Sequence, residues 1–161
     1  MHIPTISRRA MLAGAGALAA LAPLATRVRA ESLPLVTVTK DPSCGCCGDW
    51  VAHVRAAGFP VRVEESDDVF SLKHRLGVTD DLASCHTAEV DGYVVEGHVP
   101  ASAVKRLLAE RPAAIGLAVP GMPAGSPGMD YPGAAPEPYD VILFGPAGQR
   151  SFGRFLGGQL I

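Results

Sequence analysis

The sequence predicts a single α/β domain, and three observations lead to that class. Runs of β-branched apolar residues alternate along the chain with segments whose apolar residues recur at helical spacing. Glycine, proline and aspartate separate these segments at short intervals. The 161 residues, 48% of them hydrophobic and 19% charged, suffice for one domain with a buried core rather than a disordered chain.

The first thirty residues have the composition of an export signal. Arg8 and Arg9 precede an apolar stretch at roughly residues 10–25, which gives way to Arg27-Val28-Arg29-Ala30, with the small residue Ala30 before a polar segment. The apolar stretch is shorter than the roughly 20 residues that a membrane-spanning helix needs. We expect residues 1–30 to be a cleaved, twin-arginine-like signal peptide and residues 31–161 to be the mature domain. Export of the unfolded chain with a chance arginine pair, or a retained anchor, are the alternatives.

Removal of this segment leaves an acidic domain. It takes away four of the 14 basic residues and none of the 16 acidic ones, so ten basic and 16 acidic groups remain, a net charge of −6. This balance lacks the electrostatic footprint of nucleic-acid binding, and that class of function is excluded. We expect a periplasmic protein with no membrane span after cleavage, in a compartment where cysteines ordinarily form disulfides.

Strands and helices are predicted to alternate from residue 35 onward. Asp91-Gly92 between two apolar runs is typical of a hairpin turn, and Pro100 is suited to the start of a helix. Seven prolines make residues 112–138 a predicted loop. In chain order, we expect a strand at 35–39, a helix at 49–57, a strand at 59–63, a helix at 69–77, strands at 88–90 and 93–95, a helix from 100, and strands at 141–144 and 151–155.

This order of elements is that of the thioredoxin-like fold, here with a cysteine cluster in the first turn between strand and helix. Cys44, Cys46 and Cys47 fall within four residues of that turn. In such a fold, the loop that enters the third strand passes in front of the same turn. We therefore expect Cys85 to reach the other three cysteines although it lies far from them in sequence.

Cys44 and Cys47 have the C-x-x-C spacing of thioredoxin-like redox sites. Free N–H groups and the dipole at a helix start favour thiolate over thiol, which raises both reactivity and metal affinity. A thiol–disulfide oxidoreductase is therefore one predicted function. Cys46 argues against it, because a third thiol beside the pair would scramble simple two-electron exchange.

The four cysteines together form a set of donors for a soft metal ion. Three ligands from one tight turn fit poorly around a single tetrahedral zinc ion, whereas thiolates that bridge several Cu(I) ions relieve that constraint. Met122 and His86 are candidate additional ligands, although a loop methionine more often fills a gap and a histidine at a strand entrance often bonds to the backbone.

Several other interpretations stay open. The cysteines could form two structural disulfides, with three arrangements allowed, or hold a [2Fe–2S] centre. Whether Met129 or His98 binds metal is not decided by the sequence. We expect Trp50 to shield the site by packing, and His53 and His74 to face solvent.

Four separated motifs resemble the CopG-type family. This family comprises small exported proteins that were once known only as a domain of unknown function and are often encoded beside copper-resistance genes. The resemblance covers residues 34–156, and its motifs are residues 40–50, 84–88, 96–100 and 117–129.

The resemblance implies a periplasmic thioredoxin-like domain whose cysteines bind copper for copper tolerance. By position, the family's metal-binding cysteines match Cys44, Cys46, Cys47 and Cys85, and its supporting positions match Met122 and His86. The expected cargo is Cu(I), held in a multinuclear cluster, and the expected partners are copper ions and a periplasmic copper chaperone or redox partner. Whether the protein is also an enzyme that interconverts Cu(I) and Cu(II) is left open.

Overall fold

A mixed sheet of eight strands organises the chain. The computed structural model describes residues 32–161, so the predicted signal peptide lies outside the described residues. The strands are β1 (Val36–Lys40), β2 (Val61–Glu65), β3 (His86–Val90), β4 (Tyr93–Glu96), β5 (Gly116–Ala118), β6 (Pro138–Gly145), β7 (Gly148–Leu156) and β8 (Gln159–Leu160). The helices are α1 (Gly45–Ala56), α2 (Val69–Arg75) and α3 (Ala101–Glu110).

The strands lie in the order β2-β1-β3-β4-β5-β6-β7-β8. The pairs β1–β2 and β4–β5 are parallel, as expected where a helix connects two strands, and the other neighbours are antiparallel. The α/β class predicted from the sequence is confirmed, with an open sheet and a cysteine cluster after its first strand. Within residues 32–161, no helix combines the length and apolar character needed to cross a bilayer.

Two apolar clusters cover opposite faces of the sheet. Successive strand residues point to opposite faces, so Val95 belongs to the larger cluster and its neighbour Val94 to the smaller one. The larger cluster receives the buried sides of α1 and α3. The smaller one receives Val78 and Leu82, which follow α2. The central strands of the sheet therefore lie between two packed layers.

Helix α1 begins at Gly45, four residues before the predicted start. Cys44 is the N-cap residue, in extended backbone conformation, and Cys46 and Cys47 lie in the first helical turn. Glycine and cysteine have low helix propensity, so the sequence does not indicate that the helix begins in this turn. Packing overrides the propensity, since the Cys47 side chain is fully buried against the core.

The prediction that residues 112–138 form a loop is wrong at two places. Residues 116–118 form β5 between β4 and β6, and β6 begins already at Pro138. A strand of three residues is too short to show alternation. Its first residue must be glycine, because a Cβ on Gly116 would lie 1.8 Å from the Val94 carbonyl oxygen.

Candidate metal centre

The register of three neighbouring strands brings separate stretches of chain to one end of the sheet. Lys40 ends β1 and pairs with His86, the first residue of antiparallel β3. Glu96 ends β4 and pairs with Thr87 of β3. The residues after β1, before β3 and after β4 therefore leave the sheet at the same end.

All four cysteine sulfurs meet at this end, within 4.8 Å of one another. Cys44 and Cys47 form a disulfide, and Cys46 and Cys85 are free thiols. The Cys46 sulfur lies 3.6 Å from the Cys44 sulfur and 3.9 Å from the Cys85 sulfur. The structure thus brings Cys85 to the other three, and it contains one of the two disulfides of the structural alternative.

Two imidazoles flank the Cys85 thiol. His98 Nε2 lies 3.0 Å and His86 Nδ1 3.3 Å from the Cys85 sulfur. His98 Nδ1 lies 2.8 Å from the Pro127 carbonyl oxygen, which can only accept a hydrogen bond, so Nδ1 carries the proton and Nε2 presents a lone pair to the sulfur. Cys85, His86 and His98 form a second group of donor atoms within 4.8 Å.

Burial sets the protonation of these groups. It lowers the pKa of His86 well below its ordinary range, with contributions from the charges of His98 and Lys73, and it also lowers the pKa of His98. Both rings are neutral at neutral pH, the form that binds metal ions. Burial, followed by the charge of Cys46, raises the pKa of the Cys85 thiol to about 12. Cys85 therefore keeps its proton until a cation replaces it.

Trp50 closes the site from the core side, as the sequence led us to expect. Its side chain is fully buried, and its Nε1–H donates to the Val99 carbonyl oxygen at 2.9 Å. Its ring centroid lies 4.4 Å from that of His86. The buried His86 Nε2 has no hydrogen-bond partner among the residues that the structure describes. An unpaired buried nitrogen is costly, and it is the other ring nitrogen, Nδ1, that faces the Cys85 sulfur.

The segment that follows β5 packs across the start of α1, and we call residues 120–130 the covering loop. Gly128 has a φ of +86°, and a Cβ there would lie 2.7 Å from the Trp50 nitrogen and 3.0 Å from the Cys46 carbonyl oxygen. Only glycine allows this approach. The loop is thereby seated directly on the cysteine turn.

The two methionines of the covering loop differ in exposure. Met122 is 53% exposed, next to Gly121, whose carbonyl accepts the hydroxyl of Ser84 beside Cys85. Met129 is buried, and its sulfur accepts the Tyr131 hydroxyl at 3.4 Å. Met122 thus lies on the rim beside the Cys85 stretch, whereas Met129 fills the interior of the loop.

Of the two histidines expected to face solvent, His74 does and His53 does not. His53 is half-buried between α1 and α3, and its Nε2 accepts the Ala101 N–H at 3.0 Å, capping the first turn of α3. Charged neighbours in sequence had suggested exposure, but helix packing decides. His74 is exposed, as expected.

Sequence analysis also missed a buried ion pair beside the site. Lys73 and Glu96 are both buried, with 2.6 Å between Nζ and Oε1. A signal was present: Lys73 follows Val69 by four residues on the inner side of α2, and Glu96 ends an otherwise apolar strand.

An α/β domain that gathers four sulfurs and two neutral imidazoles at one partly exposed end of its sheet belongs to the class of thiol proteins suited to soft metal ions or disulfide exchange. Two solved structures, "Copper resistance protein copG" in form 2 and form 1, are similar to it, with TM-scores of 0.72 and 0.71. Each is 41% identical, and the match covers 76% of this chain and 98% of theirs. The chain therefore belongs to the copG family, which confirms the resemblance carried by the four motifs.

A family model also matches part of the chain. The family described as "Protein of unknown function, DUF411" matches residues 82–129, which contain Cys85, both flanking histidines and most of the covering loop. No curated protein matches the chain.

Proposed function

We propose that this protein binds copper for copper tolerance, with the sulfur cluster as its binding site. The observation that carries the proposal is the convergence of four cysteine sulfurs, from two stretches of chain, within 4.8 Å. The similar solved structures are named copper resistance proteins, which favours copper over other soft metals.

The donor set has the chemistry that Cu(I) prefers. The proposed ligands are the thiolates of Cys44, Cys46, Cys47 and Cys85, supported by His86 and by the Met122 thioether on the rim. Thiolate, thioether and neutral imidazole are the soft to intermediate ligands that stabilise Cu(I). Because the Cys46 sulfur lies within 4 Å of both the Cys44 and the Cys85 sulfur, neighbouring thiolates are close enough to share more than one ion.

The Cys44–Cys47 disulfide links copper binding to redox state. Two of the four sulfurs are occupied in the oxidised form, so the full donor set requires a two-electron reduction. In the opposite direction, formation of this disulfide from two thiols releases two electrons and two protons. These electrons suffice to convert two Cu(II) to two Cu(I). Interconversion of the two copper states is therefore the proposed redox activity, with a periplasmic chaperone or redox partner supplying copper or electrons.

The finer assignments of fold and location belong to this proposal. The order β1-α1-β2-α2-β3-β4-α3, with the cysteine turn between β1 and α1, supports a thioredoxin-like domain. The twin-arginine-like segment supports periplasmic location with cleavage after Ala30. Mass spectrometry of the periplasmic fraction tests the location and the cleavage site. Absence of the protein from that fraction would contradict the location, and an N-terminus other than Glu31 would contradict the cleavage site.

Anaerobic Cu(I) titration of the fully reduced protein against a chromophoric chelator tests the copper site. We expect more than one Cu(I) per chain, and fewer in Cys46→Ser. Ser43→Ala is the matched control, because it alters the same turn without removing a sulfur, and its capacity should equal that of the wild type. Stoichiometric zinc binding without additional copper capacity would contradict the proposal.

A second function is favoured by the disulfide itself. Cys44 and Cys47 form a disulfide at the start of α1, where the helix dipole favours a leaving thiolate. In this alternative, the Cys44–Cys47 pair is first reduced to two thiols by an external dithiol, and these thiols then reduce a partner disulfide while the Cys44–Cys47 disulfide forms again. Strong reduction of a model disulfide protein by Cys46→Ser, unaffected by copper, would favour the oxidoreductase over the copper-binding function.

A further inference from the structure

The buried ion pair of Lys73 and Glu96 has no part in copper binding as proposed. The two side chains are 6% and 0% exposed. Desolvation of two charges can exceed the attraction between them, and apolar residues of similar size often serve stability equally well. The pair therefore needs an explanation in terms of the groups that it holds in place.

The Glu96 carboxylate bonds to the chain on both sides of Cys85 and His86. Its Oε1 accepts the Ser84 N–H at 2.6 Å, and its Oε2 accepts the Thr87 hydroxyl at 2.7 Å. Ser84 precedes Cys85, and Thr87 follows His86. One buried carboxylate thus fixes both ends of the segment that carries these two donors.

Lys73 completes the network from a different element. Its ammonium donates to Glu96 Oε1 and, at 2.9 Å, to the Thr87 hydroxyl oxygen. The three groups satisfy one another, as a buried polar network must. Because Lys73 belongs to α2, the network ties the Cys85 segment to a helix on the face opposite the one that packs α1.

Glu96 also begins the segment that carries His98. The Gly97 N–H donates to the His86 carbonyl oxygen at 3.0 Å. Gly97 has a φ of +70°, and a Cβ there would lie 2.5 Å from the Ser84 side chain. The two segments are thus in close contact, and a small shift between them would break the 3.0 Å approach of Cys85 to His98.

We propose that Lys73 and Glu96 are positioning residues for the metal centre. They lock residues 84–87 against residues 96–98, so that Cys85 and His98 face the cysteine turn before copper arrives. The inference rests on the proposed copper site for its purpose. An apolar pair would fill the same volume, but it would leave the Ser84 N–H and the Thr87 hydroxyl without the acceptor that fixes them.

The test compares Lys73→Met/Glu96→Leu with the wild type. A first readout does not depend on copper: the rate at which iodoacetamide alkylates Cys85 in reduced, copper-free protein whose other three cysteines are serine. We expect the double variant to react about fivefold faster, because local opening exposes the thiol, and this increase should exceed what any fall in its urea midpoint accounts for. A second readout is Cu(I) affinity of the four-cysteine protein against bathocuproine disulfonate, expected to fall about tenfold.

Two further variants make the result decisive. Lys73→Met/Glu96→Gln keeps an acceptor for Ser84 without leaving a buried charge unpaired, and we expect it to lie between the wild type and Lys73→Met/Glu96→Leu in both readouts. It decides the question if Lys73→Met/Glu96→Leu does not fold. Asp140→Asn, which breaks an exposed ion pair with Arg154, is the control and should change neither readout.

Unchanged alkylation and affinity in the double variant, or a rise in alkylation no larger than the loss of global stability predicts, would overturn the positioning role. Absence of copper binding by the wild type would instead refute the proposed function. The alkylation rate would then still decide whether the ion pair positions Cys85.

Discussion

Substitution of Gly128 by alanine is a sharp test of how the covering loop is seated. The new Cβ would lie 2.7 Å from the Trp50 nitrogen, 3.0 Å from the Cys46 carbonyl oxygen and 3.2 Å from the Asp49 carbonyl carbon. All three are backbone atoms of α1, so no side chain can swing away to relieve the contact. The loop itself has to move off the helix.

The cost of Gly128→Ala has two parts. Placing alanine at a left-handed φ costs about 1 kcal/mol, and forcing an extra methyl group into a packed site costs about 1–3 kcal/mol more. Gly133→Ala is a matched control: its φ is +87°, close to the +86° of Gly128, but nothing lies within 4 Å of its Cβ. Gly133→Ala should therefore lose only the roughly 1 kcal/mol that comes from the left-handed backbone conformation.

Urea unfolding and thermal melts measure the difference between these variants. At about 4 °C per kcal/mol for a domain of this size, Gly128→Ala should melt roughly 4–12 °C below Gly133→Ala. Copper affinity should fall in Gly128→Ala alone, because Pro127 moves away from His98 together with the loop. Equal losses in both variants would refute the close approach of the covering loop to α1.

Three further predictions follow from single contacts. His53 accepts the Ala101 N–H, and burial lowers the pKa of His53 despite the opposing charge of Asp130. The unfolded chain therefore binds a proton at this histidine more readily than the folded one. The wild type should lose stability as the pH falls from about 6.5 through the lowered pKa. His53→Gln can accept the same bond without titrating, so its stability relative to the wild type should rise over this pH range; an unchanged difference in urea unfolding would contradict the assignment. Trp50→Phe removes a buried hydrogen bond and ring volume and should cost about 2–3 kcal/mol in urea unfolding, whereas a neutral effect would contradict the packing described. Oxidised protein should bind fewer Cu(I) ions than reduced protein in equilibrium dialysis, because the Cys44–Cys47 disulfide occupies two donors; equal capacity would exclude these two thiolates as ligands.

Patterns that depend on neighbouring residues in sequence were predictable. The hairpin at Asp91-Gly92 and the alternation of the first strands and helices follow from local composition, and the sequence also indicated that Cys85 would meet the cysteine turn. The start of α1 at Gly45 was hidden, because its first turn has weak helix propensity and forms through packing of Cys47.

The features that escaped prediction depend on tertiary contacts. Strand β5 exists because β4 and β6 pair with it from both sides, and nothing in three residues announces that. His53 and Lys73 are polar residues that the fold can bury because each has a hydrogen-bond partner. His53 bonds to the Ala101 N–H, and Lys73 bonds to the Glu96 carboxylate. Spacing alone allowed three pairings of the cysteines, and the choice of Cys44 with Cys47 depends on the helical turn that carries both.

The alignment of Lys40 with His86 has a consequence for the order in which the protein matures. Three cysteines are neighbours in any conformation of the chain, but the fourth is 39 residues from Cys46 and joins them only when β1 and β3 pair. An ion captured early in folding would therefore meet an incomplete set of donors and would stabilise the unfolded chain as well as the native one. Copper that binds only after β1 and β3 have paired would stabilise the native state alone, which gives the largest increase in the free energy of unfolding.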